Sequence, residues 1–202
     1  MTMLGQLPES LNFNEKTYRI RTDFRDILRV ISAFQDDSLT DAEKAYVCLA
    51  NIYRDFLTMP ERDYADAYKA ALAFIDHGIK EDRPSPKVID WEHDESIIFP
   101  AINKVAGFET RTAPPLHWWT FIGYFQGIDR EDTFGYVLMI RQKKAKKKKL
   151  EKWEQEFYTQ NRHLCDFRAG TGGKQAQETP EDALAAIYNE LLKAQKGGGD
   201  DG

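Results

Sequence analysis

Three clusters hold the side chains from which chemistry could be built. The first is Trp91-Glu-His-Asp-Glu95 with Asp90 before it, carboxylates gathered around His93 as a metal site or an acid–base centre would require. The second is His117 beside Trp118 and Trp119, rings that could stack on a base or a ligand. The third is RQKKAKKKKL, Arg141 to Leu150, with seven positive side chains in ten residues. Each has a plainer reading. Acidic residues in the first turn of a helix answer to its dipole, and His93 has no ligating residue four positions on, so the first cluster reads as a helix start. Trp118 and Trp119 share an apolar helical face with Ile122 and Phe125, which makes His117 a satisfied interfacial histidine. HExxH, GxGxxG, P-loop and GxSxG patterns are absent from the sequence. No catalytic, cofactor-binding or metal-ligating residue is therefore assigned, and the expectation is a protein that is not an enzyme.

The lysine run has to be weighed against the rest of the chain. The net charge is -5, and removing the seven charges of the run leaves -12 on everything else, so basicity belongs to one segment. That argues against a generally basic nucleic-acid binder. On a helix these charges wrap every face; the segment must lie in solvent or against something acidic. No aromatic residue interleaves the lysines to read bases, and Glu151, Glu154 and Glu156 flank them. A solvated extension, an acidic protein partner and nucleic acid stay open in that order.

A chain of 202 residues can bury a core as one domain with an appendage. Cys48 and Cys165 lack metal-ligand spacing and read as small buried hydrophobes in a reducing compartment. No window reaches the roughly 20 apolar residues that span a bilayer, and MTMLGQLPES lacks the regions of a signal peptide. A soluble, cytoplasmic protein is expected.

The elements that must position these clusters are mainly helices. SLNFNEKTYRIRT, residues 10–22, alternates apolar and polar residues about Asn14-Glu15-Lys16 and predicts a hairpin. Asp23 should cap a helix carrying Phe24, Ile27, Leu28, Ile31 and Phe34, and Thr40-Asp-Ala-Glu43 is a capping box for a second. A third runs from Arg62 to His77, with Gly78 as its stop. KEDRPSPK then forms a linker. Asp94 can cap a helix bearing Ile97, Ile98, Ala101, Ile102 and Val105 and closed by Gly107, bent or delayed by Pro100. Pro114-Pro115 set the start of the next helix, expected to be the most buried. From Glu131 to Ala169 one long lysine-rich helix is expected, its stripe continued by Leu150, Trp153, Phe157 and Leu164. AGTGGKQAQE reads as a flexible linker, and Thr179-Pro-Glu-Asp182 starts a tethered amphipathic helix with Leu184, Ile187, Tyr188, Leu191 and Leu192 on its stripe.

The ordered set Trp91-Glu-His-Asp94, Ile97-Ile98, Ala101-Ile102, LHWWTF at 116–121 and FGYVLMIR at 134–141, with YRIRTDFR at 18–25, resembles the gene-product-fifteen family of tailed bacteriophages infecting Gram-positive bacteria. The likeness spans roughly residues 5–168, with Asp94, Leu116 to Phe121 and Ile140-Arg141 at the positions of the family's motifs. It implies a tail assembly chaperone of siphophages. Such a protein would bind the tape measure protein, help recruit tail-tube subunits of a long non-contractile tail, and act in the host cytoplasm without staying in the mature virion.

The sequence thus predicts a mainly α fold. Residues 1–169 form a multi-helix, chaperone-like domain with the hairpin at 10–22, followed by a linker at 170–178, a C-terminal helix at 179–196 and a tail at 197–202. Partner contact is assigned to Lys143, Lys144, Lys146, Lys147, Lys148 and Lys149, and to Leu184, Ile187, Tyr188 and Leu191. The expected partners are the tape measure and tail-tube proteins and, as a further option, a second copy of the chain; no cofactor and no membrane is expected. The alternative is a nucleic-acid-binding accessory protein using the lysines.

Overall fold

The computed structural model describes residues 5–77 and 87–167. They fall into two compact units divided between Lys80 and Glu81, inside the KEDRPSPK stretch. The described residues are mainly helical, with a two-stranded antiparallel hairpin near the N-terminus.

In the first unit, β1 (Ser10–Phe13) pairs with β2 (Lys16–Arg19) in the register Ser10↔Arg19. The two-residue loop puts Asn14 at φ 50° and Glu15 at φ 60°, the doubly left-handed turn whose twist matches that of the strands. Phe13 stacks on Tyr18 at 4.6 Å, and both rings meet the edge of Tyr53. α1 (Phe24–Gln35) starts as expected, the Asp23 carboxylate accepting from the Arg25 N–H. α2 (Asp41–Ile52) starts with the expected reciprocal Thr40/Glu43 capping box. Its C-terminal end is closed from outside, for Arg21 donates to the carbonyls of Ala50, Asn51 and Tyr53. α3 (Tyr64–Ile75) follows a 3-10 turn at Glu61–Asp63, a little later than the spacing predicts. Its expected stop, Gly78, lies outside the described residues; His77 takes the left-handed position at φ 58°. Ile27, Val30, Leu49, Ile52, Ala67 and Ala71 are all sealed from solvent, with Cys48 among them, whose thiol burial pushes up to about 12. That holds the thiol in its unreactive form.

The second unit is built on α4 (Glu95–Ala106), α5 (Trp118–Gln126), α6 (Thr133–Ala145), α7 (Lys152–Gln160) and the single turn α8 (Arg162–Cys165). α4 runs through Pro100, which sits on its exposed side, and ends with Gly107 in the left-handed conformation at φ 79°. α4 buries Ile98, Phe99, Ala101 and Ile102, whereas α5 buries Trp118 and Phe121. α5 is thus not the most buried helix: its nine residues leave Trp119, Ile122 and Phe125 half-covered. Trp91 packs on its inner side, 5.2 Å from Phe125.

The expected long helix from Glu131 is broken. α6 ends at Ala145, the chain turns through the lysines, and α7 and α8 fold back so that Leu150, Phe157 and Leu164 pack against Val137 and Ile140 of α6. Trp153, placed on the same stripe by spacing, remains 45% exposed. Like charges three and four positions apart weaken a helix, and Glu151 with Glu154 forms a capping box that starts a new one. No described helix is long and apolar enough to cross a membrane.

Candidate partner interface

α6 is fixed in place by one side chain. Arg141, 4% exposed, donates Nη1 to Asp94 Oδ2 and Nη2 to Asp94 Oδ1, both at 2.6 Å, a fork-to-fork pair with a carboxylate wholly out of solvent. The same guanidinium donates to the backbone carbonyls of Val88 and Leu164 and lies 4.2 Å from the centre of the Phe167 ring. His93 Nδ1 stands 2.8 Å from Asp94 Oδ1, and because a carboxylate only accepts, the ring donates from Nδ1. Arg141 thereby ties together α6, the segment before α4 and α8.

This geometry revises the reading of Asp94. It occupies the N-cap position of α4, but its side chain makes no capping bond to that helix. The carboxylate instead accepts from Arg141, from His93 and from the Asp90 N–H. Among the described residues no group of three His, Cys, Asp or Glu side chains is placed to hold a metal ion. His117 serves as the N-cap of α5, its Nδ1 accepting from the Trp119 N–H at 3.0 Å.

The lysines meet two different fates. Lys143 donates to Glu154, itself 1% exposed, and Lys144 to Asp166 and to the Tyr158 hydroxyl. The hydrogen bond from Lys143 holds the Glu154 carboxyl below its ordinary value. Burial alone would lower the Lys144 pKa, but the bonds to Asp166 and Tyr158 outweigh it and hold the group above the usual lysine value. These two lysines fasten α6 to α7 and α8. Lys146, Lys147, Lys148 and Lys149 are exposed, and among the described residues none supplies them with an ion-pair partner.

The turn that carries the four is itself well defined. The Lys147 N–H donates to the Lys144 carbonyl and the Lys148 N–H to the Lys143 carbonyl, the pair of bonds that closes a helix in a Schellman motif. Lys147 holds the left-handed position at φ 53°, where glycine is usual. Keeping a lysine there costs about 1 kcal/mol.

A family model for bacteriophage Gp15 protein matches residues 3–166, most of the chain. The chain belongs to the bacteriophage Gp15 protein family. That makes it a phage structural or assembly-related protein. No curated protein and no solved structure matches it. The Gp15 match ends at Asp166, so it takes in both units and the lysine turn.

Of the residues assigned to partner contact, the structure therefore separates Lys143 and Lys144, engaged within the fold, from Lys146 to Lys149, which face solvent. Leu184, Ile187, Tyr188 and Leu191 lie outside the described residues. Spacing did not reveal the pairing of Asp94 with Arg141. The available signal was an arginine ending the apolar run Val137 to Ile140, where a charge set against an apolar face needs a buried counter-charge.

Proposed function

We propose that this Gp15-family protein is a tail assembly chaperone of a siphophage infecting a Gram-positive host. It binds the tape measure protein and helps recruit tail-tube subunits to a growing non-contractile tail. It works in the host cytoplasm, without catalysis, and leaves before the virion matures. Family membership supports a role in building the particle, and the four exposed lysines carry the step to a protein partner. They are held on a turn of fixed shape, in a chain otherwise rich in acid, which suits recognition of an acidic surface more than solubility. Helix-in-groove recognition, an amphipathic helix laying its apolar face into a groove, is the mode by which the chain would hold that long helical partner.

The test is co-expression of the full chain with the tape measure protein of the same genome, followed by pull-down and sizing, with and without residues 170–202. Co-purification is expected. An insoluble, unbound tape measure protein would overturn the reading. Trp153, exposed and one short turn beyond the lysines, favours nucleic acid as the second reading, since an indole beside a basic loop can stack on a base. Binding to generic duplex that falls steeply with salt would establish that alternative.

A further inference from the structure

The face of α6 turned away from Val137 and Ile140 borders an open groove of about 500 Å³. Phe134, Leu138 and Gln142 follow one another at helical spacing along it, with Met139 alongside, and Phe125 and Ile128 supply the opposite wall. Phe125 and Phe134 meet at 5.7 Å. Gly135 lets the backbone of Asp129 and Arg130 close the end away from the lysines, for a Cβ there would stand 2.5 Å from the Arg130 carbonyl oxygen. The apolar surface continues beyond the groove. Val105, 39% exposed, packs over Gly127, and Phe108, 41% exposed, meets the Tyr124 ring.

The groove and the lysine turn are consecutive. Gln142 ends the lining, and its carbonyl accepts from the Lys146 N–H at 3.1 Å, so the four exposed lysines begin one helical turn past the apolar wall. From Phe134 to Gln142 α6 advances about 12 Å, and Lys146 stands about 6 Å further on. A small apolar ligand would leave the lysines unused, and a nucleic acid would leave the apolar wall exposed. An amphipathic helix answers both, with aliphatic side chains repeated every third or fourth residue and a cluster of Asp and Glu in the turn beyond them.

We propose that this groove and turn together form the docking site for such an acidic, amphipathic helix of the partner. The proposal rests on the chaperone reading and supplies its contact surface. The aliphatic stripe lies along Leu138 and Met139, and the acidic turn reaches Lys146 to Lys149.

The probe is a set of fluorescent peptides of about 25 residues tiling the tape measure protein, titrated into the full chain and followed by anisotropy, beside co-purification of the intact tape measure protein. Binding should concentrate in segments that combine an aliphatic stripe with an acidic end. Leu138→Glu should weaken it at least tenfold, and replacing Lys146 to Lys149 by Gln should weaken it about tenfold and flatten its dependence on salt. Gln142→Glu, at an exposed position where folding is not at stake, should weaken it several-fold and carries the test if Leu138→Glu unfolds. Variants that bind the peptides and the intact partner like the original chain overturn the docking site and leave the chaperone reading standing. Failure of the original chain to hold peptides or tape measure protein overturns both. A dimer of the original chain that Leu138→Glu dissociates would assign the groove to a second copy, and duplex binding abolished by the lysine change alone would assign the turn to nucleic acid; either overturns the proposal.

Discussion

Asp63 and Asp94 are buried carboxylates, one in each unit, and both join the start of a helix to chain far off in sequence. Asp63 precedes α3 and accepts from Asn14, Lys16 and Tyr18 of the hairpin; Asp94 precedes α4 and accepts from Arg141. The donors make the difference. Asp94 faces a guanidinium whose side chain is 3% exposed, whereas Asp63 faces two neutral donors and an ammonium on a side chain 43% exposed. Removing the guanidinium from the first site strands a charge away from water; removing one donor from the second leaves the buried carboxylate its other two, and the exposed ammonium can turn to solvent. Similar burial of two carboxylates therefore gives one rigid joint and one adjustable latch.

The largest effect is expected at the rigid joint. Arg141→Met leaves Asp94 buried without a counter-charge and should destabilise the second unit by about 3–5 kcal/mol, read by urea unfolding. Changing Arg141→Met and Asp94→Leu together should recover part of that loss, because the charge desolvation disappears while the Val88 and Leu164 carbonyls, the Asp90 N–H and His93 lose their partners. A single variant as stable as the original chain would show that the two carboxylates are alike after all.

Acid should act on the latch. Hydrogen bonds from the Tyr18 hydroxyl and from Asn14, then the ammonium of Lys16, lower the Asp63 pKa to about 2, and the same Tyr18–Asp63 bond raises the tyrosine. Since the folded value lies below the ordinary one of about 4, the contribution of Asp63 is complete above pH 4 and is lost as the pH falls toward 2. Asp63→Asn should therefore lower the melting temperature of the first unit at neutral pH, and the gap to the original chain should narrow between pH 4 and pH 2. A gap that does not change over that range would place the stabilisation in packing instead of charge.

Much of this was legible in the sequence where the signal is local. The hairpin turn, on the first two residues of the expected Asn14-Glu15-Lys16, and the Asp23 cap, the Thr40/Glu43 box and the Gly107 stop, which stand where the spacing puts them, each depend on residues within a few positions. The break after Ala145 was not read, because the apolar stripe from Leu150 to Leu164 continues that of α6 in spacing while packing back on it in space. The joints were hidden for a related reason. Asp63 meets Tyr18 across 45 residues and Asp94 meets Arg141 across 47, and neither separation leaves a trace in local periodicity. At the candidate interface the sequence singled out six lysines as one group; only their neighbours in the fold divide them into two that fasten α6 and four that face solvent.

The smallest effect isolates the charge at the latch from its hydrogen bonds. Lys16 Nζ lies 3.1 Å from Asp63 Oδ2, close enough for an ion pair, yet the side chain is 43% exposed and long enough that ordering it offsets part of the attraction. Lys16→Met keeps the apolar stem and removes the charge, and should reduce stability by about 0.5 kcal/mol, less at high salt. Asn14 and Tyr18 would go on holding the carboxylate, so the hairpin should keep its register and the acid transition should move only slightly upward in pH. A loss comparable to that of Arg141→Met would mean that the ammonium and not the neutral donors carries the latch, and the contrast between the two sites would then lie in the exposure of their cations alone.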